Sequence, residues 1–333
     1  MKSSDKITVL GAGSWGTVLT QILACGDYQI GLWDRSTRLV EEVKAQNCFT
    51  RPIHMPLLEN IQITDSLEEA LEGNSLVVCA IPSEGVEEVI ERIQKTKSPK
   101  IDFLLSTTKG LDQKTGKTMS QIWREYDPEL QIAVLSGPNL SAEAALSKPM
   151  RTVIGSESIE KAQKAAAFFQ KPGFVIEITS DMIGLEICGA VKNVIALAAG
   201  AWDGFELGIS GKGSLLTKSI SELTDLVVMI GGGAKTVYSV GGLGDLFITC
   251  SSKLSRNYYT GYALARGRSL GQIQQELRGQ VAEGVWTAPL LHRLATEYQC
   301  EFRICEMVYQ MLQSDLTDQD KRSAFIESYQ AMV

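Results

Sequence analysis

A single lysine interrupts the stretch "IGLEICGAVKNVIALAAG", residues 183–200. If this stretch is helical, the neighbours of Lys192 one turn away are Gly189, Cys188, Ile195 and Ala196, all small or apolar. A helical side chain leans over the preceding turn, which puts the ammonium above Gly189, with Asn193 flanking the same spot. A glycine inside a helix costs about 1 kcal/mol relative to alanine, and room for a ligand between Lys192 and Asn193 would account for it. The lesser alternative is a snorkelling lysine beside a close helix contact. An ammonium so placed suits stabilising an oxyanion and passing it a proton. Other polar residues recur in settings that suit ligands. "STTKGL" (106–111) puts Lys109 just beyond a strand, and "SGPN" (136–139) follows the next strand in the same way; ligands of open α/β sheets bind at such ends. "LGDLFITC" (243–250) carries Asp245 and Thr249 four apart, on one face if helical. "SRN" (255–257) reads as a helix start, with Ser255 as cap and Arg256 at an anion-friendly terminus. Taken singly, these are equally a surface lysine, a proline turn and an N-cap.

A second constellation lies in "ITVLGAGSWGTVLTQILACGDYQIGLWDR", residues 7–35. Gly11, Gly13 and Gly16 follow an apolar strand and open a helix, and a second strand ends in "WDR". In that context Gly11 permits a tight turn, Gly13 lets backbone approach a pyrophosphate, and Gly16 lets helix and strand pack closely. The helix-start N–H groups and dipole then face the phosphates. The spacing predicts a bound dinucleotide. Asp34 at the strand end suits the ribose hydroxyls of NAD, and Arg35 suits the 2′-phosphate of NADP, so use of both is open.

The elements that must hold these residues fall into two groups. Apolar runs at 6–10, 29–33, 75–81, 102–107, 131–136 and 174–179 alternate with amphipathic pieces such as 17–25 and 84–95. Runs that are apolar nearly throughout belong to strands buried on both faces, hence a Rossmann-like, doubly wound, mainly parallel sheet. From about residue 180 the pattern turns helical: 181–201, 214–231, 256–266, 270–278, 285–298 with Pro289 in its first turn, and 302–313. The expectation is a dinucleotide-binding domain over 1–180 and an all-helical substrate-binding and catalytic domain over 181–333. "GGLGD" (241–245) reads as a tight turn between helices.

Composition narrows the function classes. Of 333 residues, 44% are hydrophobic and 21% charged, ordinary for a globular chain. A net charge of −7 argues against nucleic acid as partner. No apolar run is expected to span a bilayer, which takes about 20 residues, and because "MKSSDK" leads straight into a strand, no signal peptide is expected. Seven cysteines (Cys25, Cys48, Cys79, Cys188, Cys250, Cys300 and Cys305) form no C-x-x-C pair and read as buried structural thiols in a reducing, cytoplasmic setting. His54 and His292 stand far apart, so no metal site is expected.

In order, "GAGSWGT", "STTKGL", "SGPN" with "AE", "GAVKNVIA" with "GAWDG", "GLGDLFITC" with "SRN", and "VAEG" cover nearly the whole chain. Together they resemble the NAD(P)-dependent glycerol-3-phosphate dehydrogenases of the bacterial biosynthetic type. The resemblance implies NAD or NADP as cofactor and reduction of dihydroxyacetone phosphate to sn-glycerol 3-phosphate for glycerophospholipid synthesis. It further implies a homodimer. Lys192 matches the catalytic lysine, with Lys109, Asn193 and Asp245 in the same active site. Lys109, Gly137, Asn139, Asp245, Thr249, Ser255, Arg256 and Asn257 match substrate positions. Gly11, Gly13, Ser14, Trp15, Gly16, Asp34, Arg35, Lys109, Ser141, Arg256, Val281 and Glu283 match cofactor positions. The family's usual "GPSFA" reads Gly137-Pro138-Asn139-Leu140-Ser141 here, and Ser210 and Lys218-Ser219-Ile220 replace its Asn and Arg-Gly-Leu. Two rivals remain: another dehydrogenase with a Lys-Asn pair, and a non-catalytic NAD(P) sensor, which would need none of Lys109, Lys192, Asp245, Arg256 and Asn257.

Overall fold

The computed structural model describes residues 6–96, 100–169, 171–277, 282–297, 301–313 and 317–332. They form two compact units. The first comprises Met1–Lys109 with Lys117–Met182; the second comprises Gly110–Gly116 with Ile183–Val333.

The strands of the first unit are β1 (Lys6–Leu10), β2 (Gln29–Trp33), β3 (Cys48–Phe49), β4 (Met55–Pro56), β5 (Ile61–Thr64), β6 (Asn74–Cys79), β7 (Phe103–Ser106), β8 (Gln131–Ser136), β9 (Met150–Ser156) and β10 (Phe174–Thr179). Eight of them make one sheet in the order β10-β9-β8-β7-β6-β1-β2-β5, while β3 and β4 pair as a separate antiparallel ribbon. The sheet is parallel except where β8 meets β9. Helices α1 (Ser14–Leu23), α2 (Thr37–Gln46), α3 (Leu67–Leu71), α4 (Val86–Lys95), α5 (Met119–Tyr126), α6 (Ser141–Ala145) and α7 (Ile159–Ala166) complete the unit.

The unbroken apolar strands have a direct cause. Ile7, Val9, Leu105, Ala133 and Leu135 pack into a core on one face of the sheet. Leu10, Val77, Leu104, Ile132 and Val134 pack into a core on the other. With both faces covered, neither needs a polar row. The strand order reverses between β1 and β6, the switch point outside whose carboxyl ends open α/β sheets bind their ligands. β5 and β9 were not expected from sequence. β5 is four residues long at the sheet's edge, with Gln62 exposed, and β9 carries the exposed Arg151 as its second residue.

The second unit contains α8 (Met182–Gly204), α9 (Ile209–Met229), α10 (Ala234–Val237), α11 (Asp245–Ser251), α12 (Arg256–Ala265), α13 (Leu270–Glu276), α14 (Gly284–Glu297), α15 (Arg303–Leu312) and α16 (Asp318–Gln330). Contrary to the expectation from sequence, α8 is long and apolar enough, by length and composition, to cross a bilayer. Its apolar window is 94% buried inside the protein, so it is a core helix. α8 and α12 touch backbone to backbone: a Cβ on Gly200 would lie 1.9 Å from the Tyr258 carbonyl oxygen, and one on Gly261 2.0 Å from that of Leu197. Pro289 is the sixth residue of α14, not part of its first turn, so no amide there can bond the Val285 carbonyl. "GGLGD" is not a simple turn either. Val240–Gly244 winds as a π-helical turn, capped by the Ser239 hydroxyl, and runs directly into α11.

Candidate active site

At the carboxyl end of β1 the chain turns through Gly11, whose φ of +104° is strained for any side chain, and its N–H donates to the Trp33 carbonyl. A Cβ on Gly16 would stand 1.9 Å from the Gly11 carbonyl oxygen, so only glycine lets α1 start this close to the turn. A Cβ on Gly13 meets nothing within 4 Å. That position faces open space, and no side chain caps the N-terminus of α1. These are the features of a pyrophosphate cradle: uncapped N–H groups, a helix dipole and free approach. Ser14 and Trp15 are the first two residues of α1. Asp34 ties the turn to β2, accepting from the Ala12 N–H at 2.9 Å and from the Ser36 N–H at 3.0 Å. Each of its oxygens keeps a lone pair for a ribose hydroxyl. The residues present therefore fit NAD(P). Arg35 is exposed, 3.2 Å from Glu88.

Further along the same sheet edge, Lys109 Nζ donates to the Gly137 carbonyl at 3.1 Å, joining the segments after β7 and β8. Thr152 Oγ1 on β9 lies 3.0 Å from both the Ser136 carbonyl and Asn139 Oδ1. Asn139 is thus anchored by a partner on the neighbouring strand. Ser141 opens α6, whose start has no side-chain cap.

In the helical unit, side chains do what backbone does at the glycine turn. Lys192 and Asp245 are both buried, and Lys192 Nζ lies 2.6 Å from Asp245 Oδ1 and 3.1 Å from Thr249 Oγ1. The ammonium therefore points to α11 instead of resting over Gly189. The Thr249 hydroxyl donates to the Asp245 carbonyl at 2.6 Å, which leaves its lone pairs to the lysine. A second chain of bonds runs alongside. The Gly284 N–H donates to Asn257 Oδ1 at 2.9 Å, Asn257 Nδ2 to Asn193 Oδ1 at 2.9 Å, and Asn193 Nδ2 to Glu283 Oε2 at 3.0 Å. One end is a backbone donor and the other a carboxylate acceptor, so both amides have only one consistent orientation. Asn193 Nδ2 also reaches the Gly189 carbonyl at 3.4 Å.

Ser255 caps α12, accepting from the Tyr258 N–H, and Arg256 is the first residue of that helix. The Arg256 side chain is exposed and makes no ion pair among the described residues. A guanidinium at a helix N-terminus is a ready anion site. Cys250 adjoins Thr249, but burial pushes its thiol up to about 12, against the pull of the Lys192 ammonium. It is no nucleophile at neutral pH.

The sequence of both units matches one family. Residues 6–162 match the N-terminal part of NAD-dependent glycerol-3-phosphate dehydrogenase, and residues 181–321 match its C-terminal part. The chain belongs to this family. A relative from Chlorobium limicola named glycerol-3-phosphate dehydrogenase [NAD(P)+] is 36% identical over 92% of each chain. One of the same name from Corynebacterium glutamicum is 38% identical over 93% of this chain and 94% of its own. A crystal structure of glycerol-3-phosphate dehydrogenase from Coxiella burnetii superposes with a TM-score of 0.89, at 31% identity, over 98% of this chain and 99% of that one.

Measured against the residues marked in sequence, the glycerol-3-phosphate dehydrogenase fold gathers Lys192, Asn193, Asp245, Thr249, Asn257 and Glu283 into one bonded cluster, with Ser255 and Arg256 heading α12. It sets Gly11, Gly13, Ser14, Trp15, Gly16, Asp34 and Arg35 around the first turn, and links Lys109, Gly137 and Asn139 at the next strand ends. Val281 lies outside the described residues. Sequence reasoning missed the partners. Nothing in the pattern joined Glu283 to Asn193, or Glu88 to Arg35. It also missed Asp203, which accepts from Lys212 at 2.5 Å and from the Tyr258 hydroxyl. The "GAWDG" motif contained this aspartate, but the spacing to Lys212 and Tyr258 carries no local signal. The structure offers no reason for Ser210 or Lys218, whereas Ser219 is buried and donates to the Leu215 carbonyl.

Proposed function

We propose that the chain catalyses the reversible, NAD(P)H-dependent reduction of dihydroxyacetone phosphate to sn-glycerol 3-phosphate, a precursor of glycerophospholipids. The buried Lys192–Asp245 pair beside the Asn193–Asn257 chain carries the reading, in a member of this family. When bound, the nicotinamide supplies or accepts the hydride. As the substrate ketone gains negative charge on its oxygen, the Lys192 ammonium stabilises that charge and then protonates it; the neutral amine takes the proton back from the alcohol in the reverse direction. Asp245 and Thr249 hold the Nζ in place. Asp245 also balances its charge in a buried setting, where an unpaired ammonium would be costly.

We assign the substrate phosphate to Arg256 and the free N–H groups at the start of α12, whose geometry suits phosphate oxygens. Asn193 and Asn257 position the substrate with pre-oriented amides, and Lys109, with Gly137 and Asn139, contributes a further charge to it. Gly11 to Gly16 and Ser141 hold phosphates of the cofactor, while Asp34 and Arg35 face its ribose; Glu283, Val281, Lys109 and Arg256 complete its contacts. The first unit is the dinucleotide-binding domain and the second the substrate-binding and catalytic domain. A cytoplasmic location fits the free thiols, four of which are buried, and the family resemblance supports a homodimer, which light scattering would test. The deciding experiment follows NADH and NADPH absorbance on adding dihydroxyacetone phosphate. If neither cofactor is oxidised, the reading is wrong.

A further inference from the structure

The guanidinium assigned to the cofactor's ribose end is already held by this chain. Arg35 Nη1 lies 3.2 Å from Glu88 Oε2, in the first turn of α4. The other oxygen of Glu88 lies 3.7 Å from Arg92 Nε, one turn further on. The Arg92 guanidinium in turn sits 5.9 Å from the centre of the Trp33 ring, the last residue of β2. One carboxylate thus stands between two guanidiniums. The Arg35–Glu88 pair joins the segment after β2 to the helix that follows β6, and β2 and β6 are the two neighbours of β1 in the sheet.

The two cofactors differ here by one group. A 2′-phosphate brings about two negative charges and calls for a free guanidinium, whereas a ribose diol calls for an acceptor, which Asp34 provides. Glu88 opposes the phosphate twice, occupying Arg35 and adding a like charge nearby. We propose that Glu88 is a positioning residue that sets cofactor preference: it withholds Arg35 from a 2′-phosphate and biases the enzyme towards NADH without excluding NADPH. This rests on the assignment of Arg35 to the ribose end made above. The bias is moderate because the pair is exposed, with 68% of the Arg35 side chain and 50% of that of Glu88 accessible. Exposed pairs contribute a factor of about five at most. Arg92 lowers the cost of the exchange further, because Glu88 remains paired with it when Arg35 turns to a phosphate.

The test measures Kd for NADH and for NADPH by fluorescence titration, together with kcat/KM for each at fixed dihydroxyacetone phosphate and fixed salt, in wild type, Glu88→Gln, Arg35→Ala and the double variant. Glu88→Gln should raise NADPH affinity and kcat/KM about two- to fivefold and leave NADH within about twofold, with the gain shrinking at high salt. In the Arg35→Ala background most of the gain should be lost, leaving only the smaller part due to the like charge. An unchanged NADPH-to-NADH ratio in Glu88→Gln, with NADPH use lowered by Arg35→Ala, overturns the role of Glu88 and leaves that of Arg35 standing. An equal gain with and without Arg35 overturns the holding mechanism in favour of direct repulsion. Equal losses for both cofactors in Arg35→Ala overturn the reading of Arg35 itself, and the proposal with it.

Discussion

In the proposed function the glycine turn and the lysine cluster solve the same problem, presenting polar groups to an anionic ligand, by opposite means. At the turn, the presenting groups are backbone N–H groups shaped mostly by residues 7 to 35, with Ala80 and Ile81 beyond β6 crowding Gly11 from the side. At the cluster they are side chains carried by α8, α11 and α12 and by Glu283 before α14, with partners 53 to 90 residues apart in sequence. A backbone cradle is specified by what is missing, a Cβ at Gly11 and Gly16. A side-chain cluster is specified by every member at once, so its loss should be steep where the cradle's is graded.

Lys192→Met gives the steepest expected effect. It keeps most of the volume and removes the charge, so kcat should fall about 10²–10⁴-fold, the range for a general acid–base residue. Fluorescence titration should find NADH affinity within a few-fold of wild type. Turnover near normal would remove the proton role from Lys192, and a matching loss of NADH affinity would show that the two regions do not act separately. Arg256→Ala comes next. A charged hydrogen bond contributes about 1.5–3 kcal/mol, so KM for dihydroxyacetone phosphate should rise at least about tenfold. Unchanged kinetics with the phosphorylated substrate would move the phosphate elsewhere.

The regions should also differ in their response to pH. In the first unit, the Thr37 hydroxyl, donating to its side chain, leads in pulling the Asp65 carboxyl below its usual range. Its contribution is present above the unfolded pKa and lost in acid. In the helical unit Glu222 behaves in the opposite way. Burial pushes it from 4.5 to about 7, although it accepts the Arg303 and Ile304 N–H groups at the start of α15. The folded state then binds the extra proton between about pH 4.5 and 7, and stability falls as pH rises through that window. At about 1.4 kcal/mol per unit, discounted for partial exposure, the loss is about 1–2 kcal/mol. Denaturant unfolding at several pH values should show this slope in wild type and a flatter one in Glu222→Gln. An identical slope in both would place the titration on another group.

The smallest expected effects lie at the ribose end. Arg35→Ala should lower NADPH affinity about tenfold, within the range for one charged hydrogen bond, and leave NADH within a few-fold. Asp34→Ala should favour NADPH in the ratio of the two, while weakening both, because the Ala12 N–H loses its acceptor. A loss confined to NADH would show that the tie to Ala12 does not shape the cradle.

Legibility followed the same division. β1, β2, β6, β7 and β8 could be read because strands buried on both faces leave unbroken apolar runs, whereas β10, at the sheet's edge with Val175 and Ile178 exposed, showed only in its apolar, β-branched composition. α16 could not, since Phe325 alone is buried in it and its capping box of Thr317 and Asp320 had no periodic face to announce. The pairing of Asp245 with Thr249 was readable only on condition of a helix, and the glycines of Val240–Gly244 concealed that helix's start.

By itself, the amino-acid sequence determined the local stereochemistry: a turn that only glycine can make before α1, a cap at Ser255, and a lysine set in an apolar helix. Each follows from steric exclusion or hydrogen bonding within a few residues. The tertiary structure decided which carboxylate meets Lys192, which way the amides of Asn193 and Asn257 point, and that Glu88 holds Arg35. Those outcomes depend on close packing of distant segments, such as the backbone contact of α8 with α12 through Gly200 and Gly261. No spacing rule spans such distances, because the chain between two contacts can fold in many ways until the core excludes all but one.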